Sequence, residues 1–169
     1  MSHFRGAALS LLVLSGVPAS AAAAETAIPD AIAAPGETTV LAVQGEGAQI
    51  YECKAGADGK LGWAFREPIA TLLADGKTVG RHFAGPSWEL NDGSAVVGKV
   101  AASVPGATPN DIAWLKLEVA SRRGNGALSG VTTVQRIETK GGKLDGACEQ
   151  AGTYRSVPYS AEYIFLRKG

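Results

Sequence analysis

DGKLGWAFREPIATLLADGKTVGRHFAGPSWELNDGSAVVGKV, residues Asp58 to Val100, holds three Asp-Gly pairs, Asp58-Gly59, Asp75-Gly76 and Asp92-Gly93, spaced seventeen residues apart. Asp-Gly favours the tight turn that joins twisted antiparallel strands, because both central residues of that turn take φ > 0 and both residue types tolerate it. One further turn candidate falls in each interval, marked by Pro68 in the first and by Gly85-Pro86 in the second. Each interval reads as strand, turn, strand, and the stretch as a meander of β-hairpins.

The turns set the register. A two-residue turn at Asp75-Gly76 pairs Leu73 with Thr78, Leu72 with Val79 and Ile69 with His82. The same turn at Asp92-Gly93 pairs Leu90 with Ala95 and Trp88 with Val97, so that Trp88, Leu90, Ala95 and Val97 form a core face. A three-residue loop at Ala84-Gly85-Pro86 places His82 opposite Trp88 on that face, and Arg81 opposite Glu89 on the other as a cross-strand ion pair. A two-residue Gly-Pro loop would set His82 opposite Glu89 instead, since a slip of one residue changes every neighbour. The three-residue register is preferred because it also puts Arg81 and Asn91 on one polar-tolerant face. At Asp58-Gly59 a strict two-residue turn would oppose Trp63 to Lys54, mixing core with surface, so a longer loop including Gly56 is expected. The strand Lys60 to Arg66 then stacks Leu61, Trp63 and Phe65 on one face.

Upstream, Thr38 to Val43 reads as a strand, Gly45-Glu46-Gly47 as a turn, and Ala48 to Ala55 as a second strand with Tyr51 and Cys53 facing inward. The two glycines are no dinucleotide fingerprint, because no third Gly follows and a strand comes next. Downstream, Leu115, Leu117 and Val119 alternate with Trp114, Lys116 and Glu118 in a half-buried strand. Gly124-Asn125-Gly126 and Gly130 make a long turn before the strand Val131 to Thr139. Gly141-Gly142 opens a loop carrying Cys148, and Pro158 to Leu166 stacks Tyr159, Ala161, Tyr163 and Phe165 on one face. Past residue 24 no segment sustains a helical period, so the expected fold is all-β, an antiparallel meander closed as a small barrel or folded as a sandwich.

The N-terminus has the layout of a secretory signal peptide over residues 1–24: a single charge at Arg5, the apolar run Ala7 to Val17, then Pro18 and the small residues Ala19 to Ala24. An apolar run of eleven residues is well short of the ~20 that span a bilayer, so no membrane span is expected after cleavage. Residues 25–37, with Pro29, Pro35 and Gly36, read as a loosely structured arm, and 38–169 as one β-domain. Loss of Arg5 takes the 16 basic residues to 15 against 16 acidic ones, a net charge near −1. That balance lacks the basic excess a nucleic-acid partner calls for. Cys53 and Cys148 are the only cysteines, and an even count in an exported chain points to a disulfide, here with a single pairing available.

Several of these residues together resemble a known family. Ile50-Tyr51-x-Cys53, Trp63, Val79-Gly80-x-His82-Phe83-Ala84-Gly85-Pro86-Ser87-Trp88, Asp92-Gly93-Ser94, Ile112-x-Trp114-Leu115, Gln135-Arg136-Ile137 and Val157-Pro158-Tyr159 are similar to the family catalogued as domain of unknown function 3455. The resemblance spans nearly all of the mature chain. It implies an exported β-rich protein of the kind found in bacteria and fungi, and no established activity.

No catalytic signature is present. His82 is the only histidine left after cleavage, which excludes a His-rich metal site, and no metal or cofactor is implied. As a general acid or base His82 would need a carboxylate such as Glu89, whereas a His beside a Trp on an inner face is more often a hydrogen-bonded core residue. Ser87 is no nucleophile elbow, because Gly85-Pro86-Ser87-Trp88 lacks the second glycine and the strand-to-helix context. Tyr51, Trp63, Trp88, Trp114 and Tyr163 are suited either to a barrel mouth or saccharide-binding face, or to filling the core. Two function classes follow. One is an exported, non-enzymatic binding or envelope-associated module for an unknown small molecule or saccharide, with His82, Trp88 and Glu89 as ligand-binding candidates. The other is a small hydrolase or isomerase using His82 with a nearby carboxylate inside a barrel. An outer-membrane barrel fits less well, because the strands read as shorter than the ~9–11 residues a bilayer needs.

Overall fold

A computed structural model describes residues 27–169, so the leader expected over residues 1–24 lies outside the described residues. The strands are β1 Glu37–Ala55, β2 Leu61–Ala74, β3 Lys77–Phe83, β4 Ser87–Leu90, β5 Ala95–Val104, β6 Trp114–Arg123, β7 Thr133–Gly141 and β8 Tyr154–Lys168. Each pairs antiparallel with the next, and β8 returns to β1, closing one ring. The all-β meander is therefore a barrel and not a sandwich. Closure needs strands that bend, and register shifts at Ile50/Tyr51 in β1, Leu72/Leu73 in β2, and two sites in β5 supply extra residues where strands must curve.

The hairpin at Ala84-Gly85-Pro86 takes the three-residue loop, with His82 opposite Trp88 and Arg81 opposite Glu89. The loop after β1 spans Gly56 to Lys60, and Cys53 faces Trp63 across it. Asp75 and Gly76 both have positive φ, 49° and 71°, as the tight turn requires.

Four details depart from the expected register. A bulge moves the partner of Leu72 from Val79 to Gly80, so His82 faces Ala70 and not Ile69. The Asp92-Gly93 turn holds one residue more than two: Asp92 accepts from the Ser94 N–H at 2.8 Å and the Ser94 hydroxyl at 2.6 Å, and Leu90 N–H donates to Ser94 O. Trp88 consequently faces Val96, which is buried in place of Val97. The third and fourth departures are turns that do not form. Gly45 and Gly47 lie within the continuous β1, where a Cβ on Gly45 would come 2.5 Å from the Tyr163 ring; glycine is there for close approach. Pro68 lies within β2 beyond the end of the β2–β3 ladder, which begins at Ala70, so its missing N–H breaks no bond to β3. β1, β2 and β8, at 19, 14 and 15 residues, also overturn the expectation of uniformly short strands, although β4 has only 4.

The core fills the ring with Leu72, Trp88, Val96, Leu117, Val134, Ala161, Tyr163 and Phe165. Gly98 leaves the room Trp88 needs, since a Cβ there would lie 3.1 Å from the indole and from Leu117. Outside, charged side chains pair in chains such as Arg81–Glu89–Arg123. The arm has one firm anchor: Ile32, in the 3-10 turn Asp30–Ile32, is wholly buried, its carbonyl accepts from Gln135 of β7, and the Ala33 carbonyl accepts from Lys116 of β6. The connection from β7 to β8 is pinned to the β1–β2 hairpin by the Cys53–Cys148 disulfide, with Cα atoms 5.9 Å apart. Backbone bonds from Cys53 N–H to Thr153 O and from Trp63 N–H to Gly146 O support it.

Candidate functional site

The β3–β4 hairpin sets two cross-strand pairs on opposite faces, and the site begins there. His82 and Trp88 point inward, both nearly inaccessible, with rings stacked at a centroid distance of 4.5 Å and 11° between planes. Tyr163 tilts against the imidazole at 5.0 Å and meets the indole edge-on at 5.5 Å. His82 Nδ1 lies 2.8 Å from the Ser87 carbonyl, which can only accept, so Nδ1 carries the proton and Nε2 is left as an acceptor in the neutral ring. Burial lowers the His82 pKa to about 4, with the Ser87 hydrogen bond opposing the shift and the Arg136 charge adding to it. The imidazole is therefore neutral at neutral pH.

Glu89 belongs to the other face. Its carboxylate accepts from Arg81 Nη2 at 2.7 Å and pairs with Arg123 Nη2 at 3.0 Å, and these hydrogen bonds, Arg81 first, lower its pKa. The structure thus brings His82 and Trp88 together and sets Glu89 apart from them on the outside of the barrel.

Next to the His82–Trp88 stack lies a cavity of about 540 Å³. Trp88, Leu117, Leu115, Ile112 and Pro68 form apolar walls, and Phe65 and Val100, each about half exposed, stand at its rim. Phe65 was expected on a core face with Leu61 and Trp63; it pairs with Tyr51 in the same register that sets Trp63 opposite Cys53, their rings meeting edge-on at 5.8 Å, but it is half exposed and no part of the core. The polar lining comes from Gln49, Tyr51, His82, Arg136, Arg66 and Lys143. Of the aromatic candidates, Trp88 and Tyr51 line the cavity and Tyr163 packs behind it. Trp63 instead lies under the Arg155 guanidinium at 5.4 Å, and neither it nor Trp114 is part of the lining.

Arg136 is the residue that the sequence reading passed over. Cross-strand pairing sets it between Leu115 of β6 and Tyr163 of β8, on the inward face of β7. Its Nε and Nη2 both donate to the Ala113 carbonyl, at 3.0 and 2.8 Å. Burial lowers its pKa, and the hydroxyls of Tyr163, Tyr159 and Tyr51 oppose that shift. Those hydroxyls are themselves held neutral, the pKa values of Tyr51 and Tyr159 raised by burial and that of Tyr163 well above its usual value. The signal was present in the period of two: Val134 faces inward, so Arg136 must as well, and a charge at a core position is informative. Gln49 carried the same signal, two residues before the inward-facing Tyr51 in the strand Ala48 to Ala55, whereas Lys143 carried none, because a loop without periodicity hid which way it faces. Among the described residues no group of three or more His, Cys, Asp or Glu is placed to hold a metal ion. No helix among them is long and apolar enough to cross a membrane.

No curated protein and no solved structure matches the chain. One family does, over residues 34–167, a span that includes the whole barrel wall up to Arg167 and every residue of the cavity lining. The chain belongs to the family described as "Protein of unknown function (DUF3455)".

Proposed function

We propose that this chain is an exported, non-enzymatic binding protein that holds a small molecule inside its barrel. The observation that carries the reading is the 540 Å³ cavity, with apolar walls and a few polar groups converging on it. Its volume falls in the range of small-molecule sites, roughly 300–1,000 Å³, and such sites commonly occupy the mouths of β-barrels. Export is supported by the leader-like residues 1–24 and by the Cys53–Cys148 bridge, which suits an oxidising compartment. A charged outer surface over an apolar interior supports a barrel that faces water, since membrane barrels turn an apolar band outward. The enzyme reading gains no such support, because Glu89 is on the outer face and the cavity lining contains no Asp or Glu among the described residues.

Titration with a neutral naphthylamine dye, followed by dye emission and by quenching of tryptophan fluorescence, tests the reading. Saturable binding at one site per chain is expected, abolished by Leu115→Trp, which fills the cavity, and unchanged by Glu89→Gln on the outside. Absence of saturable binding, or binding indifferent to Leu115→Trp, would overturn it.

A further inference from the structure

We propose that the ligand of this cavity is a monoanion, an apolar body ending in a carboxylate, and that the Arg136 guanidinium receives its head. The inference rests on the binding reading above and goes beyond it by naming the chemical class. A guanidinium has five N–H donors. The Ala113 carbonyl takes one from Nε and one from Nη2, and the only other acceptor at the guanidinium among the described residues is the neutral Tyr163 hydroxyl, so the three remaining donors meet no charged group. The other two cations of the lining are differently placed: Arg66 pairs with Glu67 at 3.1 Å and Lys143 with Asp145 at 3.3 Å. No ion pair among the described residues includes Arg136, and its polar surroundings are tyrosine hydroxyls and a backbone carbonyl, none of them negatively charged.

Arg136 keeps part of its surface exposed, but an ionised group largely removed from water without a counter-charge is still costly, and proteins seldom retain one on an inward face without a use for it. The remaining lining has the same bias. Gln49 Nε2 and Trp88 Nε1 are buried donors with no close hydrogen-bond partner among the described residues, the Gln49 amide having only the neutral Tyr159 hydroxyl near it, and neutral His82 brings one acceptor, Nε2, but no negative charge. The surplus of the cavity is therefore of donors and of positive charge, which calls for an acceptor carrying negative charge. One unpaired guanidinium calls for one charge. Its planar fork matches a carboxylate with two parallel hydrogen bonds, and the apolar walls suit a hydrocarbon or aromatic body.

The test compares matched pairs with one body and two heads, decanoate against decanol and 4-phenylbutyrate against 4-phenylbutanol, by displacement of the neutral dye from the full mature chain at pH 7. The expected result is that each acid binds at least tenfold more tightly than its alcohol. In Arg136→Gln, which keeps a donor for Ala113, the preference should fall below threefold while alcohol binding is retained. Arg136→Lys, which keeps the charge, should preserve part of the preference, an outcome that a purely structural role for Arg136 would not give. Equal affinity for acid and alcohol in the unaltered protein overturns the inference and leaves the binding reading standing, and this comparison needs no variant to fold. Failure of the dye and of all four compounds to bind overturns both.

Discussion

His82 is held neutral by its surroundings, and stability should record that. Its pKa is about 4 in the folded chain against about 6.5 when unfolded, so between these values the unfolded state binds more protons than the folded one. Stability contributed by the buried neutral ring is fully present above pH 6.5 and is lost as pH falls towards 4, by up to about 3 kcal/mol. The groups facing the ring are Trp88, Tyr163 and the Arg136 charge, and none of them titrates in that window to offset the loss. His82→Phe, which keeps a ring against Trp88 but cannot titrate, should cost about 1–3 kcal/mol at pH 7 through the unpaired Ser87 carbonyl, and should flatten the profile between pH 6.5 and 4. Urea unfolding at a series of pH values measures both. An unchanged slope in the variant would show that His82 is not the group responsible.

The β7–β8 connection is the element whose attachment matters most to the site. It brings Lys143 to the cavity, its Gly142 carbonyl accepts from the Tyr51 hydroxyl at 2.7 Å, and its far end is fixed by the disulfide 95 residues from its partner. Closing a loop of that length is expected to stabilise the fold by about 2–5 kcal/mol. Replacing both cysteines, Cys53→Ala with Cys148→Ala, should lower stability by that amount in denaturant and weaken dye binding. Thiol alkylation of the unaltered protein should find no free cysteine. Two reactive thiols, or a double variant as stable as the parent, would contradict the assigned role. The arm is a smaller case: its Ala, Pro and Gly content suggested a loose lead-in, but the sequence offers no local sign that the turn carrying Ile32 is received against β5 and β6 and tied by its carbonyls to β6 and β7.

At the scale of the whole molecule the ring is continuous and its two surfaces differ in chemistry, aromatic and aliphatic within, charged without. Intact-mass measurement of the product released by a secreting host should give a chain starting between Ala22 and Glu25, and a product that keeps Met1 to Val17 would defeat the leader assignment. With 16 basic and 16 acidic residues the chain has no net field to attract a polyanion, so any preference for anions must arise locally, at Arg136.

Much of the hairpin array was legible because its determinants are local. Turn chemistry at Asp75-Gly76 and Ala84-Gly85-Pro86, with a side-chain period of two, fixes neighbours within about ten residues, and so identified the His82–Trp88 and Arg81–Glu89 pairs. The Cys53–Cys148 pairing followed from there being only two cysteines. A one-residue enlargement of the Asp92-Gly93 turn was enough to exchange Val97 for Val96 in the core, because that local rule has no tolerance for a slip. What tertiary structure alone decided is long in range. Whether Gly45 and Gly47 bend a strand or end one depends on Tyr163 and Ala70 standing against them, and the choice of ring over sandwich depends on β1 meeting β8 through pairs such as Val43 and Tyr163. Gln49, His82 and Arg136 share one cavity because the accumulated bulges and twist of eight strands return the chain to its start, a sum over the whole ring that no single segment encodes.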